Sequence, residues 1–413
     1  MHLFLSFGSL FLSVILLQIS MGSVGPLDAL SGLALAFSKA EIGLLGSAHF
    51  FGFFIGCWGA PRLMGSVGHS RAFAAFTAIG AIALLAHMLL VNPTAWAVMR
   101  IGTGLCIAGC YTVIEAWLQA RVTNETRGRA MGLYRVTDIS ASLLSQMLIS
   151  VLAPAAYASY MLIALICCAA ILPLTLTRES QPEIPQAPRL RPGLAIAMSP
   201  LAVAAVVVSG LTSGSFRMIG PVYGQEVGLN PEQIAWFLAT YVAGGALSQY
   251  PVGWLADKND RRHVLIGLSI AAILSCALSA SISGSGLAAL LVATGLFGFM
   301  TFPLYSVAAA HAHDFATPEQ RVELSAALMF WYAVGAIASP LLASLLIESF
   351  GPPALFVMIS AGHAALILFG FARMRARPTL GARTPYVYSP RTSFLIGRLL
   401  GRMRDEGTDK PPR

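Results

Sequence analysis

Gly253-Trp254-Leu255-Ala256-Asp257-Lys258-Asn259-Asp260-Arg261-Arg262 is the stretch that decides the architecture. Only 11% of the chain is Asp, Glu, Lys or Arg, yet five charges crowd into positions 257–262. One long apolar run precedes this stretch and another follows it. Small residues, an acid and a basic pair between two apolar runs describe a tight hairpin between membrane helices. The glycine lets the helices approach, and the basic pair holds the loop on the inner face of the bilayer.

Composition widens that reading to the whole chain. The 413 residues are 56% hydrophobic with a mean hydropathy of +0.73, more apolar surface than a water-dissolved chain can hide. A helix needs about 20 mostly apolar residues to cross ~30 Å of hydrocarbon. Twelve stretches qualify: 7–33, 42–61, 71–91, 95–118, 130–153, 157–176, 201–223, 234–255, 264–284, 286–309, 322–346 and 354–373. The cysteines at 57, 106, 110, 167, 168 and 276 all fall inside these spans. They are expected as small buried apolar side chains rather than disulfides or metal ligands.

Charge distribution sets the expected orientation. The loops after even-numbered spans carry nearly all the lysines and arginines, whereas the opposite loops carry only Lys39. The positive-inside rule then places both termini in the cytoplasm, as an even number of spans requires. The net charge of +8 and the basic tail would suit nucleic acid on another protein; here anionic lipid of the inner leaflet is the expected partner.

The sequence repeats itself at a shift of 192–195 residues. Gly25-Pro26 returns as Gly220-Pro221, Gly52 as Gly244, loop 61–71 as 253–263, and Arg127 as Arg321. Four matches at nearly one offset predict two six-helix bundles. With an even number of spans in each, both bundles share one orientation. The expected domains are an N-terminal bundle (1–176), a flexible cytoplasmic linker (177–200), a C-terminal bundle (201–374) and a basic tail (375–413). Leu395, Ile396, Leu399, Leu400 and Met403 beside Arg391, Arg398 and Arg402 allow either a short interfacial helix or a disordered tail.

The stretch at 253–262 resembles a loop motif of the major facilitator superfamily, Gly-x-Leu-Ala-Asp-Arg-x-Gly-Arg-Arg. Gly253, Leu255, Ala256, Asp257, Arg261 and Arg262 match it, Lys258 keeps the charge, and Asp260 departs at the second glycine. Arg100-Ile101-Gly102-Thr103-Gly104 resembles the superfamily's fourth-helix Arg-x-x-x-Gly, whose arginine is associated there with proton coupling. The resemblance covers nearly the whole chain. It implies an all-α membrane protein of twelve transmembrane helices, with a central cavity lined by spans 1, 4, 7 and 10. It also implies transport by a rocker switch, one half tilting against the other.

A charge within hydrocarbon costs at least about 2.5–3.5 kcal/mol, so it is kept where it meets a partner or a wet cavity. Asp28 and Arg100 lie at similar depths on spans 1 and 4, ~7–8 Å from the outer ends. They are expected to pair, either as a structural ion pair or in coupling and substrate contact. Glu115, Arg127, Arg129, Arg135 and Asp138 gather near the cytoplasmic rim. Together with Gly253, Asp257, Arg261 and Arg262 they are expected to form a gate that opens and closes, with direct substrate contact as the alternative for the rim charges. Arg217 in span 7 has no acid one turn away, and the repeat sets Gly22 at its matching position. It is read as a substrate contact in preference to a distant ion pair or a side chain snorkelling outward. Gln18, Gln146 and Tyr305 complete the expected pathway, each also readable as a helix–helix hydrogen bond.

No nucleotide-binding loop or catalytic cluster points to an enzyme, and no cofactor or metal site is expected. The expectation is a monomeric secondary transporter moving a small polar or anionic organic solute across the inner membrane by alternating access, with protons as an optional coupling partner. Multidrug or metabolite efflux by proton antiport is the alternative within transport. A non-transporting membrane sensor on the same fold is the alternative of another class.

Overall fold

The computed structural model describes residues 2–122, 126–176, 189–281, 286–376 and Tyr386. The expected tail helix at 391–403 and most of the expected linker lie outside the described residues. Among those residues the structure is helical and contains no strand.

The chain divides into two units, residues 1–187 with 217–236, and 188–216 with 237–413. In the first lie α1 (His2–Ala34), α2 (Lys39–Val67), α3 (His69–His87) and α4 (Pro93–Arg121). α5 (Arg127–Leu148), α6 (Tyr157–Ala169) and α7 (Ile171–Thr175) follow. α4 packs along α2 and α3, while α1 lies against α5 and α6.

The second unit begins with α8 (Pro192–Met198) and the first part of α9 (Pro200–Glu226). It continues through α10 (Pro231–Lys258), α11 (Arg261–Ser281), α12 (Leu287–Thr301) and α13 (Leu304–His313). α14 (Arg321–Phe350) and α15 (Ala354–Ala376) close it. α11 packs against α15 and α12.

Among the described residues, ten helical stretches are long and apolar enough to cross a membrane. α5 and α10 occupy the fifth and eighth expected spans but are more polar. α5 carries Arg129, Arg135 and Asp138, and α10 carries Gln233, Gln249, Asp257 and Lys258. The tenth expected span is broken at Phe302-Pro303, where a proline cannot supply an N–H to the helix ladder.

Two expectations change. Part of the linker is not a flexible tether: Pro192 starts the helix α8, a position where its fixed φ is already helical. α8 packs on α14, and the Trp331 indole donates to the Pro192 carbonyl at 3.1 Å. Five of the six cysteines are buried, but Cys168 is exposed.

The repeat extends to single hydrogen bonds. Ser38 caps α2 with its hydroxyl on the Glu41 N–H at 3.2 Å, and the Glu41 carboxylate accepts from the Ser38 N–H at 2.7 Å. Asn230 and Gln233 form the same reciprocal box at the start of α10, at 2.9 and 3.0 Å. Just before each box the chain turns through a positive φ, at Ala36 (60°) and at Gly228 (85°). The first copy thus holds an alanine where the backbone favours glycine.

The helix crossings repeat as well. A Cβ on Gly52 would lie 2.0 Å from the Ile101 carbonyl oxygen, and one on Gly104 would lie 2.0 Å from that of His49. In the second unit Gly244 faces the Gly295 carbonyl at 1.9 Å and Gly298 faces that of Tyr241 at 2.0 Å. Each crossing is a reciprocal pair of glycines admitting the other helix's backbone.

Candidate functional site

The first unit holds two buried polar clusters. In one, Asp28 of α1 is fully buried and meets three other helices. The Tyr160 hydroxyl of α6 donates to Asp28 Oδ1 at 2.8 Å. His87 Nε2 of α3 lies 3.4 Å from Asp28 Oδ2, and Arg100 Nε of α4 lies 3.5 Å from the same oxygen. The expected Asp28–Arg100 proximity is therefore present, within a larger group. His87 stacks on Tyr160 at 5.2 Å and 17°, and the Trp96 indole donates to the His87 carbonyl at 2.8 Å.

The second cluster joins α1, α4 and α5. Tyr111 Oη lies 2.8 Å from Gln18 Oε1 and donates a short hydrogen bond to Asp138 Oδ1. A phenol has one proton to give. With Asp138 taking it, Gln18 is satisfied when its amide turns to present the NH2 group to Tyr111 Oη. Asp138, grouped from sequence with the rim charges, thus shares a cluster with Gln18. Gln146 of α5 is buried and donates to Ser145 Oγ at 3.0 Å.

Arg217 is exposed between buried Phe216 and Met218. Its charge acts on Asp138, Tyr111 and His49, the last of which lies 3.3 Å from Thr103 Oγ1. At Gly22, its partner in the repeat, a Cβ would meet Ser145 Oγ at 2.6 Å. The first half needs a glycine to seat α1 on α5, and the second half carries a cation instead.

The remaining rim residues lie on α4 and α5. Glu115 is fully buried and accepts from the Tyr134 hydroxyl at 3.2 Å. Arg129 is exposed and Arg135 half-buried; the side chain of Arg127 lies outside the described residues.

The hairpin motif is assembled in the second unit. Arg261 is buried, with Nη1 donating to Asp314 Oδ1 at 2.6 Å and to the Ala310 carbonyl at 2.9 Å. Arg262 forks onto Asp260 at 2.8 and 3.0 Å. Burial pushes the Asp260 carboxyl up, but the Arg262 guanidinium and backbone N–H outweigh this and hold it below the usual carboxylate range. Asp257 accepts from the Tyr386 N–H at 2.6 Å, and the Tyr386 ring lies where a Cβ on Gly253 would go. Tyr305 packs edge-on to Tyr332 at 5.6 Å.

Sequence reading missed His87, Tyr160, Tyr111 and, as the partner of Arg261, Asp314. His87 ends its helix, where an imidazole reads as a terminus. The tyrosines lie 27 and 132 residues from their acids, a separation that carries no local signal.

Helices in two repeat-related halves and charges buried among apolar walls describe a multi-pass membrane protein. The family model described as Major Facilitator Superfamily matches residues 4–207 and 201–402, and the chain belongs to that superfamily. It is 27% identical over 341 residues to an MFS-type transporter of Enterobacter sp. (strain 638), covering 82% of this chain and 88% of the relative. It is 28% identical over 326 residues to the MFS-type transporter YcaD of Escherichia coli O7:K1, covering 78% and 84%. Among solved structures it resembles the nucleoside transporter NupG, with a TM-score of 0.76 and 16% identity over 91% of this chain and 100% of that one. The E. coli fucose:proton symporter FucP gives 0.56 and 16% over 90% and 99%. At such identities the structural likeness speaks for the fold alone.

Proposed function

We infer that the protein is a proton-coupled secondary transporter that moves a small polar or anionic organic solute across a bacterial-type inner membrane by alternating access. Its two six-helix halves would rock about the solute, with both termini in the cytoplasm. The observation that carries this reading is Arg217. It is an always-charged group, exposed midway along an apolar helix, whose field reaches Asp138, Tyr111 and His49. Tyr111 and its hydrogen-bond partner Gln18 add neutral hydrogen-bonding groups to the Asp138 cluster. A cation in reach of one carboxylate and of neutral hydrogen-bonding groups suits a solute with one anionic or strongly polar end.

The similar folds of a nucleoside transporter and a fucose:proton symporter make nucleosides and sugars useful first compounds beside organic acids. The test is a thermal-stability screen of the purified protein and Arg217→Ala against such a library. A solute of this site stabilises the parent by mass action and fails to stabilise the variant. The stabilising solute is then offered to sealed proteoliposomes with an imposed pH gradient. Gradient-driven accumulation supports the reading; binding without flux, or equal stabilisation of parent and variant, overturns it.

A further inference from the structure

We propose that Asp28 and His87 form a two-residue proton site that holds one transferable proton between Oδ2 and Nε2. This rests on the proton-coupled reading above and locates the proton's seat.

The hydrogen-bond inventory leads to it. His87 Nδ1 lies 2.6 Å from the Ala83 carbonyl oxygen, which can only accept, so Nδ1 carries a proton. Nε2 then faces Asp28 Oδ2 at 3.4 Å. An ionised carboxylate also only accepts. The two atoms face each other favourably when one proton lies between them, either on Nε2 as imidazolium or on Oδ2 as a carboxylic acid.

The surroundings leave that proton free to move. Arg100 Nε stands 3.5 Å from Oδ2, and its charge is permanent. With the proton present, the site has a net charge of +1. Once it leaves, the guanidinium and carboxylate balance, but Oδ2 points at the imidazole lone pair. The protonated state carries an uncompensated buried charge and the deprotonated state an unfavourable contact, so neither is locked. Transfer within the pair breaks Nε2–H and forms Oδ2–H, with no other bond altered. Release to water leaves carboxylate, Nδ1–H imidazole and guanidinium.

A fixed structural ion pair would be hydrogen-bonded throughout. Here His87 Nε2 and Arg100 Nε approach Asp28 Oδ2 only to 3.4 and 3.5 Å, looser than a fixed pair. The titratable and charged groups around His87 are Asp28 from α1, Arg100 from α4 and Tyr160 from α6, and Tyr160 spends its proton on Asp28 Oδ1. Trp96, the other ring against His87, does not titrate. His87 is buried and is the last residue of α3, so the pair lies at the end of that helix.

The test is nitrogen NMR of the full chain, labelled with 15N-histidine and held in lipid nanodiscs, from pH about 5 to about 9. His87→Gln identifies the His87 signals by their loss. We expect Nδ1 to stay protonated throughout while Nε2 passes from protonated to bare, and Asp28→Asn to remove or displace that step. A His87 that keeps one protonation state in the parent across the range overturns the proposal, as does a step indifferent to Asp28→Asn. The parent titration alone decides the matter if Asp28→Asn does not elute as a single species. Flux in proteoliposomes without a His87 step sinks the proton site and spares the transport reading; a step without flux does the reverse.

Discussion

Arg261 of the hairpin motif gives its guanidinium to Asp314, 53 residues away, at 2.6 Å, and only weakly to Asp257, the motif's own acid, at 3.4 Å. The arginine side chain is 1% exposed and that of Asp257 45%. The motif therefore ties the start of α11 to the end of α13.

Arg261→Ala takes from the Asp314 carboxylate, whose side chain is 5% exposed, the guanidinium it meets at 2.6 Å. Losing one partner of a buried pair costs about 3–5 kcal/mol. Asp257→Asn disturbs a half-exposed contact and should cost less than ~1 kcal/mol. Thermal unfolding in detergent should rank the two in that order; equal losses would contradict the geometry.

The glycine crossings predict a sharp contrast. Gly104→Ala and Gly298→Ala each force a Cβ onto a backbone carbonyl and should destabilise by about 1–3 kcal/mol or prevent expression. Gly59→Ala, in the same helix as Gly52, meets nothing within 4 Å and should be neutral or stabilising by up to ~1 kcal/mol. Melting temperatures of the three variants check this.

Ala36 sits at φ 60°, where its counterpart is a glycine. An L-residue there bears a strain of roughly 1–2 kcal/mol, partly offset by the extra freedom glycine has when unfolded. Ala36→Gly should raise the melting temperature slightly, whereas Gly228→Ala should lower it.

Asp260 supplies a pH dependence. Its folded carboxyl titrates below the usual range, so the stability it contributes is complete above the unfolded value near pH ~4. That contribution is lost as pH falls through the folded value. The parent should exceed Asp260→Asn in melting temperature by a constant small margin at neutral pH. The margin should close in acid; a margin that widens in acid would reverse the sign.

Tyr111→Phe removes the hydroxyl that joins Gln18 to Asp138. Leaving these groups without their partner should cost about 1–3 kcal/mol. It should also weaken any solute that Arg217 helps to hold, measured as a reduced thermal shift at fixed solute concentration.

Much of this was legible in the chain. Apolar length gave the spans, because hydrocarbon thickness fixes how much helix is needed. Depth along antiparallel spans gave Asp28 and Arg100, since rise per residue is constant. The residues that complete their cluster were not legible. His87 and Tyr160 reach Asp28 through packing of α3 and α6 against α1, and no periodicity encodes which face of a third helix points inward. Gly104 was visible as a motif letter, but its reason is the carbonyl of His49 on another helix. Arg217 could be placed on its span, whereas the role of Gly22 opposite it needed the position of Ser145.

The reciprocal glycines at positions 52 and 104, and again at 244 and 298, carry a consequence for how this chain can change over time. Where a neighbour's main chain already fills the space of a first side-chain carbon, every other amino acid is an obstruction. Such sites cannot drift singly, nor can one helix slip a residue along its mate. Descendants of this sequence are free to rewrite the solute they select while inheriting the same two joints intact.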